Sequence, residues 1–236
     1  IPNWNLEFMY YGPRIVSNGL VLCLDAANKF SYPGTGTTWT DLSGNSNNFS
    51  LINGPTFSNT NLGNIVFDGA DDYLLISSLV WDYNANFTIQ FWFNTNSLGG
   101  ANGYGLFFNG TTGANTNRVQ IAGNSDGSIY LNTVGSSVGD DFVSAAGLVT
   151  VGKWFNFAAV RNSGVITTYL NGTSVASGNV NYSVSQQSNL YVGFVRSSGA
   201  LWYLNGRMSS ILINNRVLTA SEILQNYNAT KSRFNR

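Results

Sequence analysis

The chain has 236 residues, with 11 basic and 11 acidic side chains, no histidine and a single cysteine, Cys23. Those counts exclude imidazole zinc sites, Ser-His-Asp and Cys-His catalysis, and an internal disulfide. Zero net charge without a basic block also excludes the electrostatic footprint of a nucleic-acid binder.

Charged residues make up 9%, against about 25% in an average soluble protein. Solubility must then come from Asn, Ser, Thr and Gly, a surface suited to an extracellular protein or one carried on a particle. Hydrophobic residues at 43% and aromatics at 14% supply a large core, and one all-β domain accommodates this length. No apolar run approaches a membrane span, so no membrane insertion is expected.

Residues 1–18 form a segment apart, with Trp4, Phe8, Tyr10 and Tyr11 in no clear period before a Gly12-Pro13 break. It reads either as a terminal arm on its own domain or as an assembly arm packed on a neighbouring subunit. Unpartnered exposed aromatics would be costly in either case. A charged region followed by an apolar stretch is missing from these residues, so no signal peptide is expected in them.

From Gly19 onward the pattern is strand after strand. Residues 20–24 are a continuous apolar run that buries the Cys23 thiol. A loop over 28–47 precedes short strands at 49–52 and 65–67. Asn64 to Ile76 reads as a hairpin around Asp68-Gly69-Ala70-Asp71-Asp72, which holds three of the eleven acids. Like charges this close need water, a cation or backbone N–H groups. Asp68 and Asp71 either make Asx-type bonds to the turn or help to hold a calcium ion.

Residues 86–94 alternate strictly, with Phe87, Ile89, Phe91 and Phe93 on one face and Thr88, Gln90, Trp92 and Asn94 on the other. The spacing predicts a half-buried antiparallel strand. A strand at 104–108 follows, then a hairpin of 118–121 and 129–131 around Asp126-Gly127. A loop covers 133–152. Residues 154–161 are apolar on both faces and read as a central strand, which continues through tight turns into 165–170 and 174–176 as a meander. Strands at 190–195 and 207–213 close the set.

Thr219-Ala220-Ser221-Glu222 is a capping-box sequence that starts the one predicted helix, with Ile223, Leu224 and Tyr227 as its apolar face. Lys231, Arg233 and Arg236 are read as a solvated basic tail over 231–236. The whole predicts an all-β, two-sheet antiparallel jelly-roll sandwich with one short C-terminal helix, its domain spanning 19–230.

Several ordered motifs carry a resemblance. They are Gly19-Leu20-Val21-Leu22 with Asp25, Trp39-Thr40-Asp41-Leu42-Ser43-Gly44-Asn45, Val66-Phe67-Asp68-Gly69 with Asp71-Asp72-Tyr73, Phe87 to Trp92, Tyr169-Leu170-Asn171-Gly172, and Asn205-Gly206-Arg207 through Thr219. Across roughly residues 17–230 the chain resembles the laminin-G-like, concanavalin A-like lectin/glucanase superfamily. Gly12-Pro13-Arg14-Ile15-Val16 and Leu218 to Tyr227 are most similar to domains of phage structural proteins.

The resemblance implies a curved sandwich, a glycan- or protein-binding face, and often a structural calcium. Asp41 matches the family's calcium-binding loop, joined here by Asp68 and Asp71 as metal candidates. On the last strand, Ser stands where the family commonly carries an acid. The glucanase strand motif of clustered acids is missing, so no enzyme is expected. Trp81, Tyr83, Trp92, Tyr104, Trp202 and Tyr203, with Asn102 and Asn205 near them, are the glycan-binding candidates. The function expected is a virion structural protein (decoration, fibre or tail component), homo-oligomeric with other virion subunits and able to adhere to glycans. A secreted or cell-surface lectin module is the alternative.

Overall fold

The computed structural model describes residues 13–77, 82–100, 103–110, 117–134, 139–181, 183–184, 187–197 and 200–235. The alternating apolar segments become, in chain order, β1 (Leu20–Asp25), β2 (Thr38–Trp39), β3 (Phe49–Ile52), β4 (Thr56–Ser58), β5 (Asn64–Asp68) and β6 (Tyr73–Ile76). They continue as β7 (Phe87–Thr95), β8 (Tyr104–Gly110), β9 (Arg118–Gly123), β10 (Ile129–Val134), β11 (Gly139–Val143) and β12 (Trp154–Asn162). The last are β13 (Val165–Leu170), β14 (Thr173–Asn179), β15 (Leu190–Val192), β16 (Phe194–Ser197), β17 (Ala200–Tyr203), β18 (Asn205–Asn214) and the helix α1 (Ala220–Thr230).

Two eight-stranded antiparallel sheets face each other, as the sequence predicts. The first runs β14-β13-β12-β7-β18-β5-β4, with β1 paired beside β5 on the remaining edge of β18. The second runs β11-β10-β9-β8-β15-β6-β3-β2. Phe87, Ile89, Phe91 and Phe93 of β7 meet Phe107, Ile121, Leu131 and Leu190 of the opposite sheet in one core. Phe91 and Phe107 stack across the layers, their planes 3° apart. The β12-β13-β14 meander and the β9-β10 hairpin form as predicted.

Several expectations are corrected. Residues 64–76 are not a hairpin. Both edges of β5 are taken by β18 and β4, and both edges of β6 by β15 and β3. The acidic turn therefore carries the chain from one sheet to the other. Two short apolar runs around a tight turn look alike in either arrangement, and only distant partners decide between them. The predicted strand over 190–195 breaks at Gly193, whose φ is +82°. β15 stays in the second sheet, while β16 pairs with β17 as a separate hairpin. The 133–152 loop contains β11, which extends the second sheet by pairing with β10.

The strand over 86–94 is buried on both faces. Its second face is roofed by residues 216–234. Gln90 Nε2 donates to Asn156 Oδ1 at 2.7 Å, Asn226 Nδ2 to Gln90 Oε1 at 3.0 Å, and Trp92 Nε1 to Thr230 Oγ1 at 2.8 Å. The helix buries Ile223 and Asn226, whereas Leu224 is 43% exposed, so the apolar face is narrower than predicted. The capping box forms as read: Thr219 accepts from Glu222 N, and Glu222 accepts from Thr219 N at 2.8 Å.

The basic tail is not solvated over its described part. Residues Lys231–Phe234 make a short 3-10 turn that buries Phe234 against Trp92 and Trp154. Ahead of β1, Val16 N donates to Asn226 Oδ1 at 2.7 Å and Gln225 Nε2 to Arg14 O at 2.7 Å, so residues 14–16 clamp onto the helix. The proposed arm residues Trp4, Phe8, Tyr10 and Tyr11 lie outside the described residues.

Candidate functional site

The β16-β17 hairpin lies on the outer face of the second sheet. Register pairs Phe194 with Tyr203 and Val195 with Trp202. Phe194 and Val195 are buried on Phe108, Ala122 and Tyr191, while Trp202 and Tyr203 pack at the edge of that cluster and stay half-buried. Gly105 makes this close seating feasible. A Cβ there would lie 2.4 Å from both Trp202 O and Val195 N, closer than real contacts allow. The sequence pattern over 190–195 reads as one strand and gives no hairpin; its one local signal for the break is Gly193.

Beside the hairpin, β18 starts at Asn205, which pairs with Asp68 at the mouth of the acidic turn. Gly69, Ala70, Ser97, Trp202, Tyr203 and Asn205 line a cleft of about 380 Å³. Asn205 is exposed yet fixed: its carbonyl accepts from Asn96 N at 2.8 Å, and its Oδ1 from Asn96 Nδ2 at 3.2 Å. The Trp202 Nε1 is buried with no hydrogen-bond partner among the described residues. The exposed part of the ring is therefore carbon.

The acidic turn forms the next wall. Asp68 Oδ1 accepts from Ala70 N at 2.7 Å and from Asp71 N at 3.4 Å, an Asx arrangement. Those backbone donors hold the Asp68 carboxyl below its ordinary pKa, the Ala70 N–H most of all. Asp72 is 4% exposed and accepts from Asp68 N at 3.0 Å. Burial raises its pKa, and the charges of Asp68 and Asp71 push the same way. Burial raises the Tyr203 phenol too, with smaller contributions from Tyr73 and Asp71.

Carboxylate oxygens of Asp68, Asp71 and Asp72 lie within 4.8 Å of one another. That spacing fits oxygens sharing one calcium, whose ligands stand at about 2.3–2.6 Å. Asp41 does not fit. It is 7% exposed, its Oδ1 accepts from Cys23 N and Ser43 N, and its Oδ2 accepts from Ser43 Oγ and Asn47 N. With about four acceptor sites on a carboxylate, none is left for a metal. Asp41 is a clip that ties the 41–48 loop to β1. The neighbouring Cys23 thiol is buried and pushed up to about 12, chiefly by burial and then by Asp25 and Asp41, so it is inert as expected.

The other aromatic candidates separate by burial. Tyr83, Trp92 and Tyr104 are 2%, 1% and 1% exposed, so none presents a ring face to a ligand. Trp92 stacks under Tyr227 and Phe234 instead, and Tyr104 packs on Phe93. Trp81 and Asn102 lie outside the described residues. Of the predicted set, the cleft joins Trp202, Tyr203 and Asn205, with the buried Tyr104 also in its lining, to the turn of Asp68 and Asp71. No carboxylate is among the described residues that line the cleft, and Glu222 is occupied by its capping box and by Arg216 at 2.6 Å. A half-exposed aromatic rim, a fixed amide and backbone groups suit holding a polyhydroxylated ring. They do not supply an acid and a base on opposite sides of a bond.

Comparisons with known proteins agree on the fold. Residues 68–224 match the family model described as the concanavalin A-like lectin/glucanases superfamily. The binding domain of Paraclostridial Mosquitocidal Protein 1 superposes with a TM-score of 0.71 at 17% identity, covering 90% of this chain and 52% of that one. The binding domain of botulinum neurotoxin DC in complex with SialylT gives 0.70 at 13%, covering 91% and 52%. Trypanosoma rangeli sialidase in complex with the inhibitor DANA gives 0.67 at 15%, covering 93% and 34%. This chain thus spans about half the length of the toxin binding domains it matches and a third of the sialidase. No curated protein sequence matches it. On the family match over residues 68–224 and the two-sheet sandwich that carries it, the chain belongs to the concanavalin A-like lectin/glucanase superfamily.

Proposed function

We propose that this domain is a non-catalytic glycan-binding module that holds a saccharide in the cleft between the β16-β17 hairpin and the acidic turn. The carrying observation is the joining there of half-exposed Trp202 and Tyr203 and the neighbouring Asn205 with Ser97 and the Gly69-Ala70 turn, which come from distant segments. A sugar ring stacks its C–H face on exposed ring carbon, and Asn205, Ser97 and the turn backbone bond its hydroxyls. The toxin binding domain solved with SialylT supports the reading by its fold. The sialidase with that fold is an enzyme, but the cleft here has no carboxylate pair in its described lining, which supports a binding role.

The resemblance of residues 12–16 and 218–227 to phage structural proteins supports placing the module on a virion surface or another extracellular particle. On this reading the N-terminal arm read from the sequence, residues 1–18, serves as an assembly element of a homo-oligomer. Among the described residues no helix is long and apolar enough to cross a membrane. A structural calcium, if the module uses one, is assigned to Asp68, Asp71 and Asp72. Calcium addition should raise the melting temperature of the wild type and not of Asp71→Asn.

A glycan array with the purified protein tests the main reading. Selective binding that Trp202→Ala weakens at least tenfold is expected. An array without a hit overturns it.

A further inference from the structure

Three strands of the second sheet carry polar side chains on the face turned away from the core. Register pairs Gln120 with Asn132 and Asn132 with Asp141. Alternation places Arg118 and Tyr130 on that same face, while Val119, Ile121 and Leu131 enter the core. Arg118, Gln120, Tyr130, Asn132 and Asp141 line a cavity of about 320 Å³. An outer sheet face is ordinarily well hydrated, yet Gln120 is 2% exposed, Arg118 7%, and Tyr130 and Asn132 8% each.

Polar groups taken this far from water cost stability unless they are bonded. Asn132 Nδ2 donates to Asp141 Oδ1 at 2.7 Å, and Gln120 Nε2 donates to the Tyr130 hydroxyl at 3.4 Å. Gln120 Oε1 has no hydrogen-bond partner among the described residues. It is an acceptor held in place by its neighbours, on a residue that opens into a cavity.

We infer that this cavity is a second saccharide site, in which Gln120 Oε1 accepts from one hydroxyl of a neutral sugar and Arg118 and Asp141 bond the adjacent hydroxyl. The class of ligand follows from the lining. Gln120 Oε1 requires a donor, Arg118 offers donors and Asp141 offers acceptors, and the two charges cancel. Each oxygen of a vicinal diol both donates and accepts. An anion would meet the acceptors of Gln120 and Asp141, and a cation would meet Arg118. Tyr130 belongs to the apolar cluster on which Trp202 packs, so this site shares a face with the first cleft. The two sites have no lining residue in common. The inference goes beyond the function proposed above and does not require the first cleft to bind anything.

Saturation-transfer NMR tests it with methyl glycosides of the common neutral hexoses. The proteins compared are the wild type, the double variant Trp202→Ala/Tyr203→Ala, Gln120→Leu and Asp141→Ala. At least one glycoside should bind the double variant as it binds the wild type, and bind at least tenfold more weakly to Gln120→Leu and to Asp141→Ala. Asp141 is exposed, so its variant reports even where Gln120→Leu fails to fold. The site is refuted if no glycoside binds the double variant, or if binding is unchanged in whichever of the two single variants folds. Failure of the first cleft reads differently: the double variant then matches the wild type for every glycoside.

Discussion

The Phe234 ring lies between two tryptophans, its centroid 4.2 Å from Trp92 and 4.6 Å from Trp154. One residue earlier, Arg233 holds Asp25 of β1 with both arms, at 2.7 and 2.9 Å. The C-terminal turn thus plugs the outer face of the first sheet and ties it to the first strand. Phe234→Ala should cost about 3 kcal/mol, the usual loss for a buried aromatic. Chemical denaturation would measure it; a change near zero would mean that the turn is not part of the folding unit.

Asp41 is surrounded by three backbone N–H groups and a hydroxyl. Asp41→Ala leaves buried donors without an acceptor and should destabilise by about 3 kcal/mol. That loss should be the same with calcium or with chelator present. A loss that appears only with calcium would restore Asp41 as a metal ligand.

Glu222 is held at about pKa 2, first by the Arg216 guanidinium and then by the Thr219 N–H, against an ordinary 4.5. A depressed carboxylate stabilises the fold above its unfolded pKa. Its contribution is lost as pH falls from about 4.5 through about 2. Glu222→Gln should therefore be less stable than wild type at neutral pH, by about 1 kcal/mol for the cap. The two curves should converge in acid. A constant gap down to pH 2 would contradict the pairing.

The break at Gly193 sets the position of the hairpin that bears Trp202 and Tyr203. A Cβ at that φ of +82° would also lie 2.6 Å from the Phe67 ring. Gly193→Ala should lower the melting temperature by several degrees and weaken saccharide binding with it. Unchanged binding in that variant would separate the hairpin from the site.

Much of this fold is written locally. The alternation of Phe87 to Phe93, the Asp126-Gly127 and Asn171-Gly172 turns and the Thr219–Glu222 cap each announce their own element. What was hidden depends on distant partners. Whether residues 64–76 fold as a hairpin or a corner is decided by β18 and β15, far along the chain. Trp92 reads equally as a surface aromatic or a second-layer contact, and only residues 227 and 234, which cover it, decide for the second. The site was legible in part, because Trp202, Tyr203 and Asn205 stand out as aromatics beside an amide in a short stretch. Their junction with Ser97 and with Gly69 is a product of sheet order. Gln120 gave no local sign, since an outward-facing glutamine on a strand is ordinarily exposed.

The most direct measurement is calorimetric titration of an array-selected glycan into the wild type, Trp202→Ala, Tyr203→Ala and, as a buried control, Tyr83→Phe. Saccharide binding by the wild type, at least tenfold weaker in the two cleft variants and unchanged in the control, with all four proteins folded, is the result expected. Equal affinity in all four would place the binding surface elsewhere and contradict the assignment of the cleft.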